Sequence, residues 1–250
     1  MIDAHCHIDA YPNPLETALQ VNRSRVLTIA VTNLPSDFER AYPHVCGLRY
    51  IRLAVGFHPL LAHAHPQERE RFVRCLSLTS YVGEVGLDFS REGQATSAEQ
   101  AESFRFVLQQ VRCQPKFISL HSRRAESAVL DLLEDAGVSP VVFHWYSGSG
   151  AQLERLLGMG HFCSVNPAML RSQKGRTVID RLPQDRVLTE TDGPFVAVSR
   201  RAVLPMDVAD VERFLADRWA RPVNEVRQQI LDNLRRVVPA TGVRHDTPPS

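Results

Sequence analysis

Residues 1–10 read MIDAHCHIDA. Side chains alternate across a β-strand, so residues i, i+2 and i+4 share a face. A strand over residues 2–8 therefore projects His5 and His7 together, with Asp3 and Asp9 near them and Cys6 on the opposite face. A polar edge strand accounts for this pattern without any function. The alternative is half of a metal site, because imidazole nitrogens and carboxylate oxygens are the usual ligands of zinc and related divalent ions. Two ligands from one strand need partners from elsewhere in the chain, and the search for them leads to the fold.

Seven further β-like runs follow, at 25–32 (RVLTIAVT), 51–56 (IRLAVG), 81–87 (YVGEVGL), 116–120 (KFISL), 141–145 (VVFHW), 161–165 (HFCSV) and 186–190 (RVLTE). Helical spacing separates them, as in 98–113 and in 125–137, the latter closing on a cap-like Gly137. Two more helical stretches, near 207–218 and 223–237, follow the last run. Strands alternating with helices indicate a parallel sheet. Eight such units in about 240 residues predict a single (β/α)8 TIM barrel. An open doubly wound sheet is the alternative, but no G-x-G-x-x-G or P-loop follows any run. The barrel is expected over 1–239, with 240–250 (ATGVRHDTPPS) as a flexible tail.

The composition is that of an ordinary globular chain: 250 residues, 44% hydrophobic and 23% charged, with a net charge of +1. No global charge bias points to nucleic acid or membrane. Of the basic residues only Lys116 and Lys174 are lysines, which reads as arginine-rich codon usage in a GC-rich genome. The five cysteines are scattered and form no C-x-x-C, which fits buried free thiols in a reducing compartment. No signal-peptide pattern opens the chain, and no apolar run approaches the roughly 18 residues of a membrane span. These features predict a cytoplasmic protein.

In a (β/α)8 barrel the active site lies at the carboxyl ends of the strands. Those ends carry His5 and His7, Asn33, His58, Glu84 with Asp88, His121, His144, Asn166, and Glu190 with Asp192. A lone strand-end histidine means little. Four histidines, a glutamate and an aspartate on five strands are harder to explain without a cation, because buried charge is costly unless it is paired. His5 and His7 are therefore the first two ligands of a site that the other strand ends complete, and Asp88 and Glu190 read as partners behind the ligands. His44, His63, His65, His161 and His245 fall elsewhere and take no role; His63 and His65 read as surface residues.

Taken in order, DAHCHID, GFHP, GEVGLDF, LHSRRA, FHWYSGS and TETDGPF resemble the TatD family of metal-dependent deoxyribonucleases, within the amidohydrolase superfamily. The resemblance implies a metallo-dependent hydrolase barrel with two divalent ions, magnesium or manganese. It implies that His5, His7 and Asp192 hold one ion and His121 and His144 the other. Glu84 bridges them, and His58 faces a substrate phosphate. Zinc also suits four imidazoles. Catalysis then falls to Asp192, Glu84 and His58. Arg123, Arg171 and Arg200 are candidate phosphate contacts near the mouth, Arg123 first among them. The implied substrate and partner is DNA, single-stranded, and no membrane is involved.

Three stretches depart from the family pattern. Arg124 stands where the family usually has Asp, the segment after TDGPF is short, and SVNPAML replaces a Ser-rich stretch. The shortened form resembles the TatD-like member of the Qat antiphage defence operons, which implies antiviral defence and partner proteins of such an operon. The same dinuclear centre serves other ester and amide hydrolases, so hydrolysis of another bond is one alternative. A catalytically dispensable subunit of a defence complex is the other.

Overall fold

The computed structural model describes residues 1–239; the tail expected at 240–250, and with it His245, lies outside the described residues. Eight strands pair in parallel in chain order: β1 (Ile2–Cys6), β2 (Leu27–Val31), β3 (Ile51–Phe57), β4 (Tyr81–Gly86), β5 (Phe117–His121), β6 (Val142–Phe143), β7 (Phe162–Val165) and β8 (Val187–Thr189). The intervening helices are α1 (Pro14–Ser24), α2 (Pro35–Val45), α3 (His65–Leu76), α4 (Ser97–Cys113), α5 (Glu126–Ala136), α6 (Gly150–Gly158), α7 (Pro167–Arg171) and α8 (Gln173–Arg181). After β8 come a small hairpin, β9 (Ala197–Val198) with β10 (Arg201–Ala202), and then α9 (Val208–Trp219) and α10 (Val223–Val237). The barrel predicted from the alternation of strands and helices is the fold observed.

Local chemistry sets many of the element ends. Pro14, Pro35 and Pro167 each open a helix, where the missing N–H costs nothing and φ is already helical. Gly137 closes α5 in the left-handed region at φ 64°. Between strands and helices, Val82, Leu120 and Val165 pack in one apolar cluster with Phe38, Phe72 and Phe104. Each such side chain stabilises the fold by about 1.5–3 kcal/mol on burial.

The seam between the last strand and the first is made just past the strand ends. Asp192 N–H donates to His5 O (2.9 Å), His7 N–H donates to Gly193 O (2.8 Å), and the Thr189 hydroxyl donates to Ile2 O. Gly193 must be glycine here, since a Cβ would lie 2.1 Å from the Tyr11 hydroxyl and 2.5 Å from Val203 O. The two ends of the barrel sequence are thus tied at the residues that carry its polar groups.

Several expectations need correction. The first strand stops at Cys6, and its pairing with β2 slips between Asp3 and Cys6, so three residues of β1 span two of β2. Strict alternation over 2–8 therefore fails, and His7 sits on the turn that follows, at φ −90°, ψ 76°. Asp9 stays close enough to His7 to feel its charge, but it lines a separate cavity with Asp37 and Arg40. Cys46 and Cys113 are exposed, while Cys6, Cys75 and Cys163 are buried and free as expected. The SVNPAML stretch runs from β7 into α7.

His65 is the clearest reversal. It is fully buried and its ring stacks on Phe57 with centroids 3.8 Å apart. The polar sequence around it belongs to the exposed face of a helix start, and His65 takes the inward position. Burial lowers its pKa to about 3. An unfolded histidine titrates near 6.5, so on acidification the unfolded chain binds a proton first. The stability that neutral His65 contributes is present above about pH 6.5 and is lost as pH falls toward 3. His65→Phe should flatten the decline in unfolding free energy over that range by up to about 1.4 kcal/mol per pH unit. Urea titrations at several pH values test this, and identical slopes in variant and parent would refute it.

Candidate metal centre

Glu84 lies at the centre of the barrel mouth, 2% exposed. Its strand carries one extra residue against both neighbours: Val82 to Val85 of β4 faces Val55 to Phe57 of β3 and Ile118 to Leu120 of β5. A bulge of this kind re-aims a side chain, and Gly83 and Glu84 occupy it. The backbone there is held from across the barrel: Glu84 N–H donates to Thr32 O (3.0 Å) and Thr32 N–H to Gly83 O (3.1 Å). Thr32 reaches that far because Gly56 has no side chain. A Cβ on Gly56 would lie 1.7 Å from Thr32 O.

The two oxygens of Glu84 face two different sets of histidines. Oε1 is 2.9 Å from His144 Nε2 and in a short hydrogen bond with His121 Nδ1. Oε2 is 3.1 Å from His7 Nε2, 3.4 Å from His58 Nε2 and 3.7 Å from His5 Nε2. Asp192, presented at φ 52° just beyond β8, brings Oδ1 within 3.6 Å of His5 Nε2 and 3.8 Å of His7 Nε2. The structure thus collects His5, His7, His58, Glu84, His121, His144 and Asp192 in one cluster. Three triads, His5–His7–Glu84, His5–His144–Asp192 and His58–Glu84–His121, each offer donor atoms within 4.8 Å of one another.

A second ring of polar contacts orients these side chains. His5 Nδ1 meets Ser119 Oγ at 2.7 Å, and His121 Nε2 meets Asp88 Oδ2 at 2.9 Å. Such partners fix which imidazole nitrogen faces inward. His144 stacks on His5 with centroids 4.0 Å apart. Glu190 accepts from Trp145 N–H and from Asn166 Nδ2, both at 3.0 Å, and from the Ser164 hydroxyl. Asn166 in turn caps α7 through its Oδ1. Asp3 accepts from the His5 and Thr191 backbone amides (3.2 and 2.9 Å), which ties β1 to the residue before Asp192.

Burial and proximity dominate the electrostatics. Burial pushes Asp192 well above the usual carboxylate range; His144 pulls it down, and Glu190 and Glu84 add to the rise. Burial also works to raise Glu84, but His58, His144 and His121 outweigh it and hold the carboxyl well below its ordinary value. For His121 burial favours the neutral ring, yet Glu84 and Asp88 lift its pKa to about 9. Protons balance these carboxylates, and a divalent cation binds by displacing such protons. His5 Nε2 and His7 Nε2 point at each other across 3.2 Å, an arrangement suited to a shared cation. The donor set of imidazoles and carboxylates fits a borderline divalent metal.

The cluster forms the floor of a cavity of about 750 Å³, whose walls include Asn33, Leu60, Leu61, Arg123, Trp145 and Phe195. Arg171 and Arg200 do not line it. Arg123 stands at its edge, 3.6 Å from Glu92. Sequence reasoning passed over Ser119, Trp145 and Phe195. Ser119 sits two residues before His121 on β5, so strand periodicity carried a signal for it. The two aromatics follow strand-end residues in loops, where no periodicity applies.

The Thr32 crossing generates a direct test. Gly56→Ala must push the Thr32 carbonyl aside and release the Glu84 amide, although it touches none of the clustered side chains. It should destabilise the fold by about 3 kcal/mol and reduce bound metal. Gly47→Ala, with nothing within 4 Å of the added Cβ, should change neither. Thermal melts with metal analysis decide the matter, and a Gly56→Ala protein with parental melting and metal content would exclude the crossing as the anchor.

The chain matches the family model described as TatD related DNase over residues 2–239. It is 24% identical over 263 residues to human deoxyribonuclease TATDN3, covering 96% of this chain and 94% of the relative. It is 28% identical over 194 residues to the 3'-5' ssDNA/RNA exonuclease TatD of Yersinia pseudotuberculosis, covering 70% and 72%. The crystal structure of the TatD homologue YjjV from Escherichia coli superposes with a TM-score of 0.84 at 27% identity, covering 95% of this chain and 97% of that one. An extensive match to the family model, a barrel shared with a solved homologue and a buried histidine–carboxylate cluster agree: the chain belongs to the TatD-related DNase family and is a metal-dependent hydrolase.

Proposed function

We propose that the chain hydrolyses phosphodiester bonds of DNA, using two divalent ions at the barrel mouth. The observation that carries this reading is the division of Glu84, one oxygen toward His121 and His144 and the other toward His5 and His7. A carboxylate so placed is suited to bridging. In this assignment His5, His7 and Asp192 hold one ion, and His121 and His144 the other. Ions in such a pair lower the pKa of water and offset charge on a phosphodiester. Four imidazoles favour manganese or zinc, while the family resemblance favours magnesium or manganese.

The chain's own groups supply the rest. Asp192 orients the attacking water and accepts its proton. Asp88 keeps the His121 ring in place through its hydrogen bond, and Glu190 Oε1, 3.9 Å from His144 Nδ1, acts on that ring through its charge. His58, whose Nε2 faces the cavity beside Glu84, contacts the substrate phosphate, and Arg123 meets the strand at the rim. DNA, single-stranded, is the partner, and the cytoplasm is the compartment. No helix among the described residues is long and apolar enough to cross a membrane. A role beside other proteins of an antiphage operon rests on the short segment after Phe195 alone.

Asp192→Asn keeps the shape but loses the charge and the proton acceptor. Initial rates on end-labelled single-stranded DNA with saturating manganese should fall by about 100-fold or more, with circular dichroism unchanged. Asp88→Asn should cost less, about 10–100-fold, because it acts through His121. Chelation should abolish turnover and added manganese or magnesium restore it. Wild-type rates from folded Asp192→Asn would remove that carboxylate from the reaction. Failure of the parent protein to cleave DNA with any divalent ion would sink the nuclease reading.

A further inference from the structure

We propose that a single nucleic-acid strand leaves the metal centre across the indole of Trp145 and seats its next phosphate in a cationic groove formed by Arg124 and Lys174. The inference rests on the nuclease reading above and adds the course of the substrate. The groove, about 410 Å³, is lined by Arg123, Arg124, Glu126, Lys174 and the Ser147–Ser149 segment. It shares Arg123 and Ser147 with the catalytic cavity, so the two spaces adjoin.

Some of the surface cations are neutralised by carboxylates and others are not. Arg155 is held by Asp131 and Glu134, Arg218 by Asp180, and Arg123 itself by Glu92. Arg124 and Lys174 are exposed, and neither is in an ion pair among the described residues. One carboxylate faces them, that of Glu126, which is buried and 3.5 Å from the Ser147 hydroxyl. Arg123 is already offset by Glu92, so Arg124 and Lys174 against Glu126 leave an excess of positive charge, with the Ser149 hydroxyl as a further donor. A phosphate diester suits the two unpaired cations and that hydroxyl. Exposed cations by themselves serve solubility; the residues shared with the catalytic cavity are what give this pair a ligand.

Trp145 lines the catalytic cavity two residues before Ser147, which both spaces share. It is 39% exposed, at φ 39°, and its N–H is fixed by Glu190. A bulky residue with positive φ is uncommon, and here the backbone is held so that the ring lies on the cavity wall rather than in the core. Phe195, 62% exposed, offers a second ring on the same wall system, edge-on to His7. Aromatic faces beside a cationic track are how proteins grip unpaired bases, and the bases of a duplex are already stacked and closed to them.

The test compares two substrates with the manganese-loaded protein: an oligothymidylate of roughly twelve nucleotides, long enough for a single-strand site, and a thymidine dinucleotide, whose one phosphodiester leaves nothing to reach the groove. Arg124→Ala/Lys174→Ala should raise KM on the longer strand by about tenfold and lower the salt slope of kcat/KM by about 0.7, the share of one lost phosphate contact. The effect should be confined to the longer strand. Trp145→Ala should raise KM for the oligothymidylate by about tenfold, and Trp145→Phe should recover most of it. Parental KM and salt dependence in the double variant would overturn the groove while leaving the nuclease reading intact. Cleavage of neither substrate by the parent would overturn that reading, and the groove with it.

Discussion

Charge held out of water is the constraint on which the rest of this structure depends. Glu84 and Asp192 are nearly inaccessible to solvent, as are His5 and His7. Isolated ions in such a place are untenable, so each must be matched by a proton, a hydrogen bond or a cation. The observed answer is a cluster with donors and acceptors interleaved, and Glu84 at its centre touches every histidine of it. The outer contacts follow from the same demand. Ser119, Asp88 and Glu190 each satisfy a group that burial would otherwise leave unpaired or free to turn.

The barrel is bent to this purpose in two places. An extra residue in β4 aims Glu84 inward, and the slip in β1 near His5 is of the same kind. Away from these points the strands pair regularly, and hydrophobic packing fixes them. The cluster also relies on contacts that cross the barrel instead of following its ladder. Thr32 reaches over Gly56 to the Glu84 amide, and Asp3 spans the seam to Thr191. Rigid strands supply position, and these few crossing bonds refine it.

Much of this was legible in the sequence. Eight β-rich runs separated by helical spacing implied the barrel, since periodicity survives small errors at the ends. The strand-end rule then singled out His5, His7, Glu84, His121, His144 and Asp192, because a barrel gathers those ends around one axis. What remained hidden depends on long-range placement. Alternation cannot show a bulge, so His5 and His7 were expected to meet through the pleat, whereas a slip and a turn bring them together. His65 lies in a polar stretch and was read as surface, yet one helical position in that stretch points inward to Phe57. Trp145 and Phe195 sit in loops, where neighbours in sequence say little about neighbours in space.

The seam between β1 and β8 has a consequence for how the protein comes into being. His5 and His7 belong to the first strand and Asp192 to the segment after the last, so the half of the cluster they share joins opposite ends of the barrel sequence. Closing such a contact carries the entropic cost of the long chain between its ends. The donor set around His5 and His7 is therefore complete only in the closed barrel, where Asp192 joins Glu84 beside them.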